Sequence, residues 1–212
     1  MSSCVVEIKG ATLRFENCYM MLDQTMLLAD LHLGKTMHFR KAGLPIPASA
    51  RNADQSELTR ILNEEHPEQL IVLGDLFHSV SNSECEELAI ITSQFPQVQF
   101  TLVLGNHDFL SPSVYRSMNF DTCKQMHCDN LILTHEPLAQ IDEGMINVHG
   151  HIHPGIRMQG KGLQAMTFPC FHLSKSHLCL PAFGALTGLV KRKAIKGDQV
   201  FGIFEGEVRQ VF

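Results

Sequence analysis

Five short polar blocks stand in order along the chain, each at the end of an apolar run. They are Asp30-Leu31-His32, Gly74-Asp75, Gly105-Asn106-His107-Asp108, Thr134-His135-Glu136 and Gly150-His151-Ile152-His153. With His107 and Asp108 set aside, they supply two Asp, one Asn and four His, enough to hold two divalent metal ions side by side. Imidazole nitrogens with carboxylate and amide oxygens form a mixed donor set suited to Mn²⁺, Fe or Zn²⁺, without the thiolates of a structural zinc knot. In an extended strand, residues two apart share a face. Asp30 and His32 are therefore expected to point together with Leu31 turned into the core, and His151 and His153 likewise across Ile152. Gly74 and Gly105 allow a sharp turn and leave room for a metal or a phosphate to approach. One Asp can bridge two ions, and ions about 3.5–4 Å apart stabilise both the attacking and the leaving oxygen of an in-line displacement. A single Asp-x-His or Gly-Asp carries little information, and a lone His on a strand is usually a satisfied core residue. Five blocks in order, each at a strand end, are not explained that way.

The elements that must carry these blocks follow from hydrophobic periodicity. Cys4–Ile8, Ala11–Phe15, Tyr19–Leu22 and Met26–Leu33 are apolar runs broken by Lys9-Gly10, Glu16-Asn17 and Asp23-Gln24, the pattern of three or four strands joined by tight turns. Gly34-Lys35 opens a polar segment, Gly43–Pro47 is irregular, and a helix is expected from Ala50 to about Glu65 with apolar positions 58, 61 and 62. A buried strand, Gln69–Leu73, runs into Gly74-Asp75. Ser83-Glu84-Cys85-Glu86 resembles a capped helix start, and Leu88, Ile91 and Phe95 continue at helical spacing. Val98–Leu104 is a further strand, Pro112–Met118 a short helix, and Leu131–Thr134 and Met145–His149 two more strands. This alternation of strand and helix over residues 26–110 marks an α/β layer arrangement. Beyond residue 160, Gly162–Phe168, His177–Leu180, Gln199–Phe204 and Glu207–Phe212 read as strands of a second sheet. No linker, repeat or low-complexity segment interrupts the chain, so residues 1–212 are expected to form one domain.

Composition narrows the class. With 44% hydrophobic and 18% charged residues the chain reads as an ordinary soluble globular protein. No apolar stretch approaches the length of a bilayer span, and Met1–Glu7 lacks the basic and apolar regions of a secretory signal, so a cytoplasmic location and no membrane partner are expected. Seven Cys (4, 18, 85, 123, 128, 170 and 179), an odd number without a Cys-x-x-Cys pair, read as reduced and mostly buried thiols. A zinc site from Cys123, His127 and Cys128 lacks its second half. The formal charge of −5 argues against a broad duplex-DNA surface, although two divalent ions would add about +4 at one place. Local basic groups stand at Lys35, Arg40, Lys41 and Arg51, and at Lys191-Arg192-Lys193 with Lys196, the latter usually a mere solvated turn.

Asp30-x-His32, Gly74-Asp75, Gly105-Asn106-His107-Asp108, His135 and Gly150-His151-x-His153 together resemble the motif series of the calcineurin-like metallophosphoesterase superfamily, over residues 30–153. The resemblance implies an α/β sandwich, two mixed β-sheets packed together and flanked by α-helices. It also implies a first metal on Asp30, His32, Asp75 and His153 and a second on Asp75, Asn106, His135 and His151. Attack on phosphorus would come from a hydroxide bridging the metals, with His107 protonating the leaving alkoxide and Asp108 orienting its imidazole. Many members carry an Asp three residues after the Gly-Asp acid, where this chain has His78.

A narrower resemblance spans nearly the whole chain. Ala29–Lys35, Phe39–Pro47, Leu73–Ser79 and Leu180–Gly184 are similar to the ligase-associated DNA damage response endonuclease subgroup of bacteria and archaea, which His78 fits better. Membership implies a phosphodiesterase or nuclease linked to DNA repair, with two divalent ions, Mn²⁺ first among them, and repair proteins as partners. The expected substrate is DNA ends or single strands, with Lys35, Arg40 and Lys41 gripping phosphate. Since there is no Trp and only two Tyr, any base-stacking platform must come from Phe. Two other readings remain: a phosphatase or phosphodiesterase of small nucleotides or other small phosphate esters, which the acidic composition suits, and a metal-bearing scaffold that binds a repair partner. The Arg40–Pro47 stretch reads either as an active-site flap or as a subunit contact in a homo-oligomer.

Overall fold

The computed structural model describes residues 3–35, 43, 52–78, 82–160 and 164–212. Ala50, Arg51, Ser79 and, Gly43 apart, the Arg40–Pro47 stretch lie outside the described residues. The N-terminal segment forms the expected strands: β1 (Cys4–Ile8), β2 (Ala11–Glu16), β3 (Tyr19–Leu22) and β4 (Thr25–Ala29) make an antiparallel meander. The helix α1 (Ala53–Glu65) then crosses to β5 (Gln69–Leu73), and α2 (Asn82–Ser93) crosses to β6 (Gln99–Val103). A short α3 (Pro112–Ser117) leads to β7 (Phe120–Cys123), a strand that the periodicity leaves unread. From β4 to β7 the pairing is parallel, which completes a seven-stranded sheet in sequence order.

The second sheet draws on more of the chain than the segment beyond residue 160. It contains β8 (Met126–Cys128), β9 (Leu131–Thr134), β10 (Ile146–His149), β11 (Pro154–Gln159), β12 (Ala165–Leu173), β13 (His177–Cys179), β14 (Val190–Lys191), β15 (Gln199–Phe204) and β16 (Glu207–Gln210). Its main path runs β14-β11-β12-β13-β10-β9-β8, with β15 on β12 and β16 on β15. β11 and β14 are absent from the sequence expectation because their partly polar, exposed residues carry no periodic signal. Pairing of β11 with β12, and of β14 with Pro154 and Gly155 of β11, makes them strands.

Strand alternation assigns each side chain to a layer. Leu27 and Ala29 of β4 and Ile71 and Leu73 of β5 join Leu131, Leu133, Ile146, Val148, Phe171 and Phe201 of the second sheet in one buried core. Their neighbours Met26, Leu28, Leu70 and Val72 face the other way and pack with Leu58, Ile61, Leu62 and Leu88 of the helices. The result is helices on sheet on sheet, the α/β sandwich that the motif series implies. No helix among the described residues is long and apolar enough to cross a membrane.

The inter-sheet layer is keyed by aromatic packing. Phe15 stacks on Phe171 with ring centroids 4.4 Å apart and meets Phe201 edge-on at 5.1 Å. All three are fully buried. Phe15→Ala is expected to remove roughly 3–5 kcal/mol from the unfolding free energy, read from urea denaturation. A loss below about 1 kcal/mol would mean that the two sheets do not depend on this contact.

Candidate metal centre

Register brings the five blocks together. In the first sheet Ala29 pairs with Leu73 and Leu73 with Val103, so the loops after β4, β5 and β6 leave from one edge. In the second sheet His149 pairs with Thr134, so the loops after β9 and β10 leave side by side. An isolated bridge, Ala29 to Ala182, ties the two groups of strand ends. The carboxyl ends of parallel strands are where open α/β sheets gather their ligands.

The extended geometry expected for Asp30-Leu31-His32 and His151-Ile152-His153 is not what forms. β4 ends at Ala29, and Asp30 and His32 take φ of 53° and 46°. Asp75, His151 and His153 follow with φ of 53°, 65° and 51°. Leu31 is fully buried, as the alternation implied, but the two ligand candidates flank it through left-handed turns. Asp and His tolerate this region better than most side chains, yet each such residue costs about 1–3 kcal/mol. Backbone hydrogen bonds impose it. The Asp30 N–H donates to Gly74 O (3.2 Å), His32 N–H to Asp75 O (2.9 Å), and Gly184 N–H to Asp30 O (3.2 Å). From the second sheet, the His151 N–H donates to Asp30 Oδ2 (2.9 Å).

The glycines of the motifs are explained by what a Cβ would meet. At Gly105 it would lie 2.5 Å from Asp75 Oδ1, and at Gly150 2.5 Å from Asp30 Oδ2. At Gly74, which also has φ of +72°, it would collide with the His135 ring. These positions hold no side chain because ligand candidates occupy the space.

All seven metal-ligand candidates are joined by contacts between their own groups. Asp30, His32 and His153 form one group that could hold a metal ion, and Asp30, Asp75 and His135 a second. His153 Nε2 is 3.3 Å from Asp30 Oδ1, and His32 Nε2 3.9 Å from Asp75 Oδ2. Asp30 Oδ1, both ring nitrogens of His32 and His153 Nε2 are buried without a hydrogen-bond partner. Burial, followed by the charge of Lys35, lowers the His32 pKa to about 3, so its ring is neutral with a free lone pair. Around His135 the electronics are sharper. Its Nδ1–H donates to the Leu73 carbonyl at 3.0 Å, which leaves a lone pair on Nε2. That lone pair faces the acceptor oxygens Asn106 Oδ1 at 2.9 Å and Asp75 Oδ1 at 3.4 Å, and His151 Nδ1 lies 3.1 Å away. Lone pairs aimed at one another repel unless a cation lies among them, so the donor set fits a divalent metal.

Asp108 departs from its expected role. Its carboxylate accepts N–H hydrogen bonds from Asp75 (2.8 Å), Leu76 (3.0 Å) and Gly105 (2.8 Å), and makes none with the His107 ring. Desolvation by burial raises its pKa. It clasps the loops after β5 and β6, a long-range role that no local spacing reveals. His107 is exposed at the lip, its own N–H on Asp75 Oδ1 at 3.1 Å and its ring 6.4 Å from that of His32. His78 packs edge-on to His32 with centroids 6.0 Å apart. Lys35 Nζ donates to Thr187 Oγ1 at 3.4 Å, and its pKa is lowered by burial. Arg40 and Lys41 lie outside the described residues. Sequence reasoning also missed the work of Pro181-Ala182-Phe183-Gly184, which crosses over β4: Phe183 N–H donates to Ala29 O (2.8 Å) and Gly184 N–H to Asp30 O.

Comparison with known proteins bears on the fold and the family. Residues 24–175 match the model of the calcineurin-like phosphoesterase family. Nuclease MPE of Pseudomonas putida has a similar fold, with a TM-score of 0.82 at 22% identity, covering 98% of this chain and 100% of that one. YfcE, a phosphoesterase from E. coli, aligns with a TM-score of 0.44 at 15% identity over 88% of this chain and 97% of its own. No curated protein matches. Strand-end ligand candidates, an α/β sandwich and a match over most of the sequence lead to one conclusion: the chain belongs to the calcineurin-like phosphoesterase family, and is a metal-dependent phosphoesterase.

Proposed function

We propose that this enzyme is a two-metal phosphodiesterase that cuts DNA, acting as one domain in the cytoplasm and linked to DNA repair. The observation that carries the reading is the convergence of unshared lone pairs at the joined strand ends. Asp30, His32, Asp75 and His153 would hold one cation, and Asp75, Asn106, His135 and His151 the other, with Mn²⁺ the proposed metal. The inner core runs from Val6 to Val208, which supports a single folding unit, and all seven cysteines are free thiols, which suits a reducing compartment. The link to repair is supported by the similarity of residues 29–35, 73–79 and 180–184 to the ligase-associated subgroup.

Two divalent cations held there would neutralise phosphoryl oxygens and acidify water for attack on phosphorus. The chain's own residues do the rest. His107, exposed beside the His32 ring, is placed to hand a proton to the leaving alkoxide. Asp108 keeps that loop locked to Asp75 and Leu76, so His107 stays in reach of the reacting group. Lys35 adds a positive charge beside His32.

A nucleic-acid substrate is supported by the placement of the basic segment. The Val190 N–H donates to His153 O at 2.9 Å, so the exposed Lys191-Arg192-Lys193 leaves directly from a ligand candidate. The similar fold of a protein named as a nuclease leans the same way.

Turnover of bis-p-nitrophenyl phosphate with Mn²⁺ tests the centre. His107→Ala is expected to lower kcat by roughly 10²–10⁴-fold with bound metal retained, whereas Asp75→Ala abolishes turnover and lowers metal content measured by elemental analysis. Full activity of Asp75→Ala would sink the two-metal assignment. Hydrolysis of the monoester alone, with DNA left intact, would replace the nuclease by a phosphatase of small esters. For DNA, the double variant Lys191→Ala/Lys193→Ala is expected to flatten the dependence of log affinity on log salt by about 1.4 for two lost phosphate contacts. An unchanged slope would remove this segment from the DNA path.

A further inference from the structure

Phe109 is 81% exposed, more than any other large apolar side chain among the described residues. A solitary exposed apolar residue usually needs no explanation. This one stands two residues after His107 on the same loop, its ring 6.4 Å from the His107 ring at an angle of 71°. The His107 ring is 6.4 Å from that of His32, and His32 is 5.3 Å from His153. Rings therefore run in succession from Phe109, past the proton donor, across the ligand candidates and on to the strand that opens the basic segment. The other large aromatic types offer nothing here, since Trp is absent and Tyr19 and Tyr115 are 5% and 1% exposed.

We propose that Phe109 stacks on an unpaired nucleobase next to the scissile phosphate, and so selects single-stranded over duplex nucleic acid. The inference rests on the phosphodiesterase reading above and names the substrate class of that same site. A ring that stays bare in water beside the reacting group gains most by covering itself with another flat apolar face, and every base presents one. In a duplex that face is already stacked, so reaching Phe109 would require a base to leave the helix at a cost of a few kcal/mol. Because stacking reads a π-face rather than a hydrogen-bond pattern, the selection is for strand state and not for sequence.

The test compares KM and kcat of the wild type with Phe109→Ala, Phe109→Leu and Phe109→Trp, in Mn²⁺, on a short single-stranded oligonucleotide and on the same strand made abasic. Phe109→Ala and Phe109→Leu are expected to raise KM on the intact strand roughly 5- to 150-fold with kcat largely retained, and Phe109→Trp to restore it. On the abasic strand the wild type is expected to show the raised KM already, and the variants to match it. Cleavage of the intact strand by Phe109→Ala with wild-type KM would overturn the proposal and leave the nuclease reading standing. An equal loss on intact and abasic strands would also overturn it, by assigning the effect to a disturbed His107 loop. A wild type that hydrolyses small diesters but no DNA would bring down the nuclease reading itself, and the stacking proposal with it.

Discussion

The geometry of the centre depends on how Asp30 is held. Its N–H is committed to Gly74, its carbonyl to Gly184 and one carboxylate oxygen to the backbone of His151. Those partners come from both sheets, so the residue is a rivet through the edge of the sandwich. The cost is large: a fully buried carboxylate, in a left-handed conformation, with Oδ1 given no hydrogen-bond partner. A strained backbone of this kind persists only where a large surrounding frame over-determines it, and a buried carboxylate oxygen calls for a partner such as a metal ion. The inter-sheet core, with the Phe15, Phe171 and Phe201 cluster at its centre, is that frame.

The same logic extends to the imidazoles. Backbone carbonyls choose their tautomers, Leu73 for His135 and Gly150 for His149. Each ring is thereby oriented before any ion arrives. Preorganised donors of this type need no rearrangement when charge appears, which is the main electrostatic advantage of an enzyme site over water. His149 itself donates to the carbonyl of Gly150, the residue whose missing side chain makes room for the Asp30 carboxylate.

Burial divides the centre into a floor and a lip. Asp30, Asp75, His32 and His135 are buried, while Asn106, His107 and His151 reach solvent. A rigid floor holds position, and an open lip admits an ester and lets a leaving group depart. The acidic charge of the whole chain therefore does not describe the site, because the exposed Lys191-Arg192-Lys193 segment begins where the centre ends.

Most of the framework and the identities of the candidate ligands were legible in the sequence. Apolar runs of the right length are physically bound to become strands, and blocks of Asp, His and Asn at their ends have few other uses. What local pattern cannot carry is pairing between distant segments. β11 and β14 owe their existence to partners far along the chain, and the second sheet recruits β9 and β10 from the middle of the sequence. The left-handed turns at Asp30 and His32 escaped a reading based on alternation because hydrogen bonds with Gly74, Asp75 and Gly184 hold them, and those at His151 and His153 meet Asp30 and Val190 from far along the chain. The family resemblance made Asp108 the partner of His107, yet three backbone amides from two loops claim its carboxylate. Residue types and their spacing were enough to say which side chains gather at the centre. How each is aimed came from the fold, since aim is set by hydrogen bonds across tens of residues of chain.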